Sequence, residues 1–283
     1  MKKILSLILT FILVASIFTS CNEKTQNEDT QTATNEQSES LTQTEKQTKK
    51  ETTKKETTKK ETTKKETTKT YAESTAGLLF ELNSDGNGYI LVDIGNAKEI
   101  VIDGHKGLPV TELLYYENKN ITKLTLGGNI GMLHEKAFSN CPNLKTVIIK
   151  DKITHIGAYA FENCTALETV IIGNDVTLID KFAFNNCTSL KNLTLGNKLQ
   201  TIETCAFQKC SSLTSIVIPA SAKLIRESSF HYCDNLISAE FKDPNNWGPD
   251  VDNFDYTYDL TDKKHAAEIL RCAEWIYEGF RKH

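Results

Sequence analysis

Cysteine is the residue type in this sequence with the most varied chemical reactivity, and five cysteines recur every 23 residues. They are Cys141, Cys164, Cys187, Cys210 and Cys233. Thiols can form disulfides or bind zinc, but a regular column places each thiol one repeat from the next, so four cannot converge tetrahedrally on one ion. Each also follows a phenylalanine by three residues, which favours structural thiols in a packed interior. Disulfides between neighbouring repeats are the alternative. Outside the column, Cys205 and Cys272 are the better candidates for a free or pairing thiol.

A second candidate for chemistry is the segment Asn-Ser-Asp-Gly-Asn-Gly at 83–88, which copies the first half of a calcium-binding loop. Ile94 occupies the twelfth position, where such a loop needs a bidentate glutamate, so we favour a hairpin turn. The six histidines share no metal-ligand spacing, and the sequence lacks the motifs of metalloproteases, serine hydrolases and phosphate-binding loops. The sequence therefore predicts no catalytic residue, no metal site and no cofactor.

The cysteine column belongs to a larger repeat that must position all of these side chains. Two further columns share the same period: Phe138, Phe161, Phe184, Phe207 and Phe230, and Leu144, Leu167, Leu190, Leu213 and Leu236. A fixed period of this length is typical of a solenoid, in which each unit buries its apolar side against its neighbours. Within a unit, Ala-Phe-x-x-Cys has helical spacing and Leu-x-x-Val-x-Ile ends with the period of a strand. We therefore expect a parallel sheet on one face and short helical or 3₁₀ segments opposite.

Both ends of such a stack need a cap. Apolar stretches on either side of residues 83–88 predict an N-terminal hairpin. From Asp262 to Phe280, apolar residues line one helical face and predict a C-terminal helix. The predicted boundaries are 77–120 for the N-terminal cap with a degenerate repeat, 121–243 for five repeats of 23 residues, and 244–283 for the C-terminal cap.

The repeat unit resembles the bacterial surface leucine-rich repeats of BspA type, whose pattern is roughly Ile-Gly-x-x-Ala-Phe-x-x-Cys-x-x-Leu-x-x-Ile-x-Ile-Pro. Residues 156–172, Ile-Gly-Ala-Tyr-Ala-Phe-Glu-Asn-Cys-Thr-Ala-Leu-Glu-Thr-Val-Ile-Ile, follow it almost residue for residue. The resemblance covers about residues 78–241. Ser229 replaces the alanine of the pattern, and its proline survives only at Pro219. The resemblance implies an α/β leucine-rich repeat solenoid at the cell surface that takes part in adhesion or host-matrix binding.

The first 21 residues resemble the signal peptide of a bacterial lipoprotein. Two lysines precede an apolar stretch at 4–18, and two small residues lead into Cys21. The resemblance implies that Cys21 is lipidated, although Phe18 stands where such signals usually carry leucine. A retained transmembrane anchor is the alternative.

Residues 22–76 consist largely of Thr, Lys, Glu and Gln, with four tandem pentads between Glu51 and Thr70. So little of this segment can be buried that the sequence predicts a disordered tether, with a mean span of about 40 Å. A nucleic-acid-binding arm is disfavoured, because glutamate dilutes the lysines and the chain has a net charge of -4.

We predict the functional surface on the sheet, where side chains that alternate with the buried ones point outward. We call these two columns the ledge: Thr146, Thr169, Asn192 and Ser215 in the first, and Thr125, Ile148, Ile171, Thr194, Val217 and Glu240 in the second. The ledge has no aromatic side chain to stack on sugars and little net charge to attract nucleic acid. A protein or peptide partner is left. The alternative is that these residues only satisfy the β-propensity of the strands.

Together these features predict an exported, non-enzymatic binding protein that is anchored in the envelope and displayed at the cell surface. We expect a monomer that contacts the membrane only through its lipid anchor and binds a surface protein or peptide. The family resemblance implies that host matrix proteins are among the partners. The alternative function is a structural or assembly module of the envelope with no external ligand.

Overall fold

The structure is a computed structural model that describes residues 74–113, 118–127, 130–249, 258–272 and 280–282. The predicted signal peptide, the lipidation site Cys21 and the predicted tether up to residue 73 lie outside the described residues. No helix within the described ranges is long and apolar enough to cross a membrane.

The described chain opens with the predicted hairpin, β1 (Leu79–Leu82) paired antiparallel with β2 (Tyr89–Asp93). The side-chain oxygen of Asn83 accepts the backbone N–H groups of Asn87 and Gly88, at 3.1 and 3.3 Å. This oxygen, which the sequence offered as a calcium ligand, therefore closes the turn. After β3 (Glu99–Ile102), β4 (Gly104–His105) and β5 (Leu108–Leu113) complete a cap sheet in the order β1, β2, β5, β4.

The coils that follow alternate a longer strand with a strand of two residues. In chain order they are β6 (Lys123–Leu126), β7 (Met132–Leu133), β8 (Thr146–Ile149), β9 (His155–Ile156), β10 (Thr169–Ile172), β11 (Leu178–Ile179), β12 (Asn192–Thr194), β13 (Thr201–Ile202), β14 (Ser215–Ile218), β15 (Leu224–Ile225) and β16 (Ser238–Phe241). The longer strands stack in parallel, with Thr146 opposite Thr169 and Thr169 opposite Asn192. This register confirms the predicted sheet. The short strands form a second parallel sheet, in the order β15, β13, β11, β9, β7.

The segments expected to be helical or 3₁₀ take the form of consecutive turns. Glu162 donates its N–H to the Tyr159 carbonyl at 3.1 Å, as in a 3₁₀ helix. Tyr159 and Asn163, however, adopt left-handed backbone, with φ of 58° and 59°. A helix cannot continue through such residues, and the N–H of Tyr159 instead bonds to the Lys181 carbonyl of the next coil at 3.0 Å.

The core between the two sheets contains the phenylalanine and cysteine columns. Phe184 lies between Phe161 and Phe207, with ring centroids 5.1 and 5.2 Å away and nearly parallel planes. The thiol of Cys187 donates to the Phe161 carbonyl of the preceding coil at 3.3 Å, and the neighbouring column thiols repeat this bond. Burial raises the pKa of the Cys187 thiol well above its ordinary value. The column cysteines are buried and none of them forms a disulfide, as the structural interpretation predicts.

Cys205, outside the column, is also free and buried. Burial raises the pKa of its thiol, and the negative charge of the nearby Glu227 carboxylate adds to the rise, so that the pKa reaches about 11. The thiol is therefore protonated at neutral pH and is a weak nucleophile. The side chain of Cys272 lies outside the described residues.

The C-terminal cap consists of β17 (Trp247–Pro249), the predicted helix α1 (Lys263–Cys272) and β18 (Phe280–Lys282). Asp262 caps α1, because its carboxylate accepts the N–H groups of Lys264 and His265 at 2.8 and 3.0 Å. The described helix ends at Cys272, before Phe280, which the sequence placed on its apolar face. Phe280 belongs instead to β18, which pairs antiparallel with β15 and β17.

Candidate functional site

Strand geometry separates the ledge residues from the core. In β10, Ile171 is 41% exposed, whereas Val170 and Ile172 on either side are buried. In β14, Val217 is 46% exposed between the buried Ile216 and Ile218. Successive side chains of a strand point to opposite faces, so each coil offers the same two outward positions.

All ten predicted ledge residues lie on the longer strands, in the two expected columns. The exposed ones are Ile171, Asn192, Thr194, Ser215 and Val217, and the half-buried ones are Thr125, Thr146, Ile148, Thr169 and Glu240. Ile148, expected to be exposed, is thus partly covered. Asn192 donates its side-chain N–H to the Thr169 hydroxyl at 3.2 Å. Apart from the carboxylate of Glu240, the surface carries aliphatic, hydroxyl and amide groups, which suit binding rather than acid–base chemistry.

β3 adds one row that the sequence prediction missed. Val101, 37% exposed, lies opposite Thr125, and Glu99 lies opposite Lys123, with 3.7 Å between their charged groups. The spacing from Val101 to Thr125 is 24 residues, so a strict 23-residue frame passes over it. The alternating pattern Glu-Ile-Val-Ile of β3 was the available signal. The backbone N–H of Thr75 bonds to the Val101 carbonyl at 2.9 Å and covers the outer edge of this strand.

Glu240 closes the other end of the ledge. Its carboxylate forms ion pairs with Lys242 and, at 2.6 Å, with Lys263 of α1. Two hydrogen bonds lower the pKa of the Glu240 carboxyl to about 2, and the bond from Lys242 has a larger effect than the bond from Lys263. Of the ten predicted residues, Glu240 is therefore already engaged by lysines of the same chain, and it links the ledge to the C-terminal cap.

The ion pairs of Glu240 predict a pH-dependent contribution to stability. The pKa of this carboxyl is lowered from 4.5 to about 2 on folding, so its contribution is complete above pH 4.5 and is lost as the pH falls towards 2. We expect Glu240→Gln to lower the urea midpoint at pH 7, with the difference from wild type vanishing near pH 2. Glu168→Gln is the control, because Glu168 forms no ion pair with a described residue. If the urea midpoint of Glu240→Gln is still as far below that of wild type at pH 2 as at pH 7, this role is contradicted.

The ledge is interrupted between β12 and β14, and we call this interruption the ledge split. β12 pairs with β10 and β14 pairs with β16, but the sheets of the described residues include no pairing between β12 and β14. Leu193 and Leu195 of the coil of β12 are only half-buried. Their counterparts in the next coil, Ile216 and Ile218, are buried.

Pro219 accounts for part of this interruption. The equivalent residue in two other coils donates its N–H across the sheet, Lys150 to the Leu126 carbonyl at 2.8 Å and Lys242 to the Ile218 carbonyl at 3.0 Å. Pro219 has no N–H to donate to the Leu195 carbonyl. The preceding coil carries Gly196 here, and a Cβ on Gly196 would lie 2.1 Å from the Gly173 carbonyl oxygen, so a side chain at position 196 fits poorly between the coils of β10 and β12.

Other potential sites are less developed in the described residues. No group of three or more His, Cys, Asp or Glu side chains there could hold a metal ion. Phe80, Tyr89 and His105 form a half-buried aromatic cluster in the N-terminal cap, where Phe80 stacks on His105 at 4.4 Å. These rings contact one another, so we interpret the cluster as part of the packing of the N-terminal cap.

Comparison with known proteins agrees with this architecture. Residues 111–237 match the family model "BspA type Leucine rich repeat region" in six copies. No curated protein sequence matches the chain.

Several solved structures resemble the chain. A leucine-rich repeat protein of T. pallidum is 27% identical, with a TM-score of 0.45, over 57% of this chain and 67% of that one. A leucine-rich cell surface protein from Faecalibacterium prausnitzii is 26% identical, with a TM-score of 0.44, over 63% of this chain and 56% of that one. A leucine-rich repeat protein from Bacteroides ovatus is 23% identical, with a TM-score of 0.40, over 58% of this chain and 39% of that one. The chain thus spans about two thirds of the first protein and little more than half of the second.

Proposed function

We propose that this chain, whose repeats are of the BspA leucine-rich type, is a non-enzymatic binding protein that presents the ledge to a protein or peptide partner at the bacterial surface. The observation that carries the proposal is the ledge itself. Coil after coil places two outward side chains in register, and Ile171 and Val217 are exposed aliphatics within it. Regular solenoid faces of this kind serve as extended binding surfaces.

The cell-surface location and the adhesive role belong to the same proposal. A lipid on Cys21 and the lysine- and threonine-rich tether that follows would hold the domain clear of the membrane. The family match and the cell-surface protein of F. prausnitzii support a surface location. Host matrix proteins are the partner class that fits an adhesive role.

We expect lysine substitution on the ledge to disrupt binding. Ile171→Lys with Val217→Lys places two charges where a partner would bury aliphatic surface, so affinity should fall about tenfold or more. The measurement is binding of the full chain to a panel of host matrix proteins and to the bacterium's own surface. Met132→Lys is the matched control, because Met132 on β7 is 45% exposed, close to the 46% of Val217, but lies on the other sheet.

The control also separates a ledge effect from a general loss of folding. If the double ledge variant binds every partner as tightly as wild type while Met132→Lys behaves identically, the ledge is not the binding surface. Protease treatment of intact cells tests the alternative of an internal envelope module. A domain that resists digestion until the cells are opened would favour that module over surface display.

A further inference from the structure

We infer that Ser74 and Thr75 form a strap that transfers tension on the N-terminal tether to β3, the terminal strand of the ledge sheet. Both residues lie at the end of the predicted tether, and both are half-buried. The inference rests on the proposed function, in which the domain is pulled between an anchored tether and a partner bound on the ledge. It assigns the contacts that this tension reaches first.

Four hydrogen bonds hold the strap along the edge of β3. Ser74 donates its N–H to the Gly104 carbonyl at 2.7 Å, and its hydroxyl accepts the Asp103 N–H at 3.1 Å. Thr75 donates its N–H to the Val101 carbonyl at 2.9 Å, and its hydroxyl accepts the Val101 N–H at 2.7 Å. The two hydroxyls thus serve as acceptors that a neighbouring strand would otherwise supply. Because two consecutive residues make all four bonds, tension loads these bonds almost together.

The strand under the strap is tied to the coils behind it. β3 pairs in parallel with β6, and its inward side chains Ile100 and Ile102 are buried. The carboxylate of Asp103 also reaches Lys150, two coils on, with 3.6 Å between the charged groups. This ion pair passes over Gly127, where a Cβ would lie 3.3 Å from Asp103 and 3.1 Å from Lys150. Tension on the strap is therefore shared among three coils.

The segment that follows the strap is less well attached. Ala76 and Gly77 are exposed, and Gly77 has a φ of 89°. After the buried Leu78, β1 is the outermost strand of the cap sheet, and its side chains Leu79 and Leu82 are exposed. Without the strap, tension would act on the open end of the hairpin and separate β1 from β2 one bond at a time. Bonds that break singly resist less force than bonds that must break together, so the strap protects the hairpin.

Hydrogen exchange tests whether the two hydroxyls hold the strap. In the full chain with Ser74→Ala and Thr75→Ala, the amides of Val101 and Asp103 lose their acceptors, so we expect them to exchange about tenfold faster. The amides of β6, on the other side of β3, should keep their wild-type rates. Unchanged exchange at Val101 and Asp103 would show that the hydroxyls do not seal this edge, and the inference would then fail.

The second measurement applies constant force to single molecules of the full chain. One handle is attached to the N-terminus and the other to a click-reactive residue at position 192, an exposed ledge position, so that the force enters where a partner would bind. The time before the first extension step is recorded. We expect Ser74→Ala with Thr75→Ala to shorten this time about tenfold, because two of the four strap bonds are missing.

Thr177→Ala with Ser211→Ala is the matched control. Both residues are half-buried, and their hydroxyls donate to carbonyls of the preceding coil at 3.2 and 3.4 Å, away from the strap. In urea, without force, the two double variants should have similar midpoints, because each loses two hydroxyl hydrogen bonds. Under force, only the strap variant should differ from wild type. If both double variants shorten the time equally, or if neither does, the strap does not carry the tension.

A hydroxyl exchange separates the loss of the acceptors from other effects of substitution. Ser74→Thr with Thr75→Ser keeps both hydroxyls and should give the wild-type time before the first step. A time as short as that of the alanine variant would mean that the hydroxyls are not the groups that hold the strap, which contradicts the inference.

These outcomes are distinct from those that test the proposed function. The strap variant changes no ledge residue, so without force it should bind partners as wild type does. If Ile171→Lys with Val217→Lys leaves binding unchanged while the strap variant still shortens the time, the ledge is not the binding surface and the strap remains. If the ledge variant loses binding but the strap variant behaves as wild type under force, the ledge binds and the strap inference fails.

Discussion

Replacing Phe184 by alanine is expected to lower the free energy of unfolding by about 3–5 kcal/mol, because it opens a cavity in the middle of the ring column. Phe184 is fully buried and stacks on Phe161 and Phe207 at 5.1 and 5.2 Å. The substitution therefore removes two ring contacts together with the burial of the ring. Urea unfolding monitored by circular dichroism gives the loss directly.

Phe182→Ala is the matched control in the same coil. Phe182 is half-buried and stacks on Tyr159 at 5.0 Å, outside the core column. Its backbone is left-handed, with φ of 57°, and alanine is no better suited to that conformation, so the comparison is of ring packing alone. We expect a loss of about 1 kcal/mol. Equal losses for the two variants would show that the inner column is not the main source of cohesion between coils.

The column positions could be predicted from the sequence because a solenoid puts equivalent residues in equivalent places. Once Phe161 and Phe184 are separated by one period, their rings must stack and the residues between them must share one backbone path. The same reasoning placed Ile171 and Thr194 on a common outer column. Periodicity therefore predicts which residues are neighbours across coils, and it does so at the level of individual side chains.

The local backbone could not be predicted in the same way. Ala-Phe-x-x-Cys has helical spacing, but N–H groups in each turn donate hydrogen bonds to carbonyls of the next coil. Phe161, for example, donates its N–H to the Ala183 carbonyl at 2.7 Å. A spacing argument considers one coil at a time and cannot detect this competition. The left-handed conformations of Tyr159 and Phe182 follow from it and have no signal in residue type.

The split in the ledge illustrates a second limit. Pro219 is visible in the sequence, and a proline at the end of a strand is ordinary in the BspA-type pattern that the repeats resemble. Its consequence depends on the adjacent coil, where Gly196 contacts Gly173 closely and β12 is only three residues long. A defect between two coils is a property of the pair, so reading either repeat alone does not reveal it.

The C-terminal cap should determine how far the stack resists unfolding from that end, and Trp247→Ala tests this. Trp247 is 1% exposed, its indole N–H bonds to the Asp243 carbonyl at 3.0 Å, and its ring meets Phe241 edge-on at 5.3 Å. Truncation leaves a cavity beside the last coil and removes the indole donor. We expect a loss of about 3–5 kcal/mol, measured by urea unfolding.

The location of the damage distinguishes capping from general core loss. Because each coil contacts only its neighbours, hydrogen exchange in Trp247→Ala should accelerate in β16 and α1 while β6 and β8 keep their protection. Phe184→Ala, in the middle of the stack, should instead weaken the coils on both sides of the cavity. Trp247→Phe keeps most of the buried ring area and should lose only about 1–2 kcal/mol. Uniform acceleration from β6 to β16 would mean that the coils unfold as one cooperative unit and that the cap does not act locally.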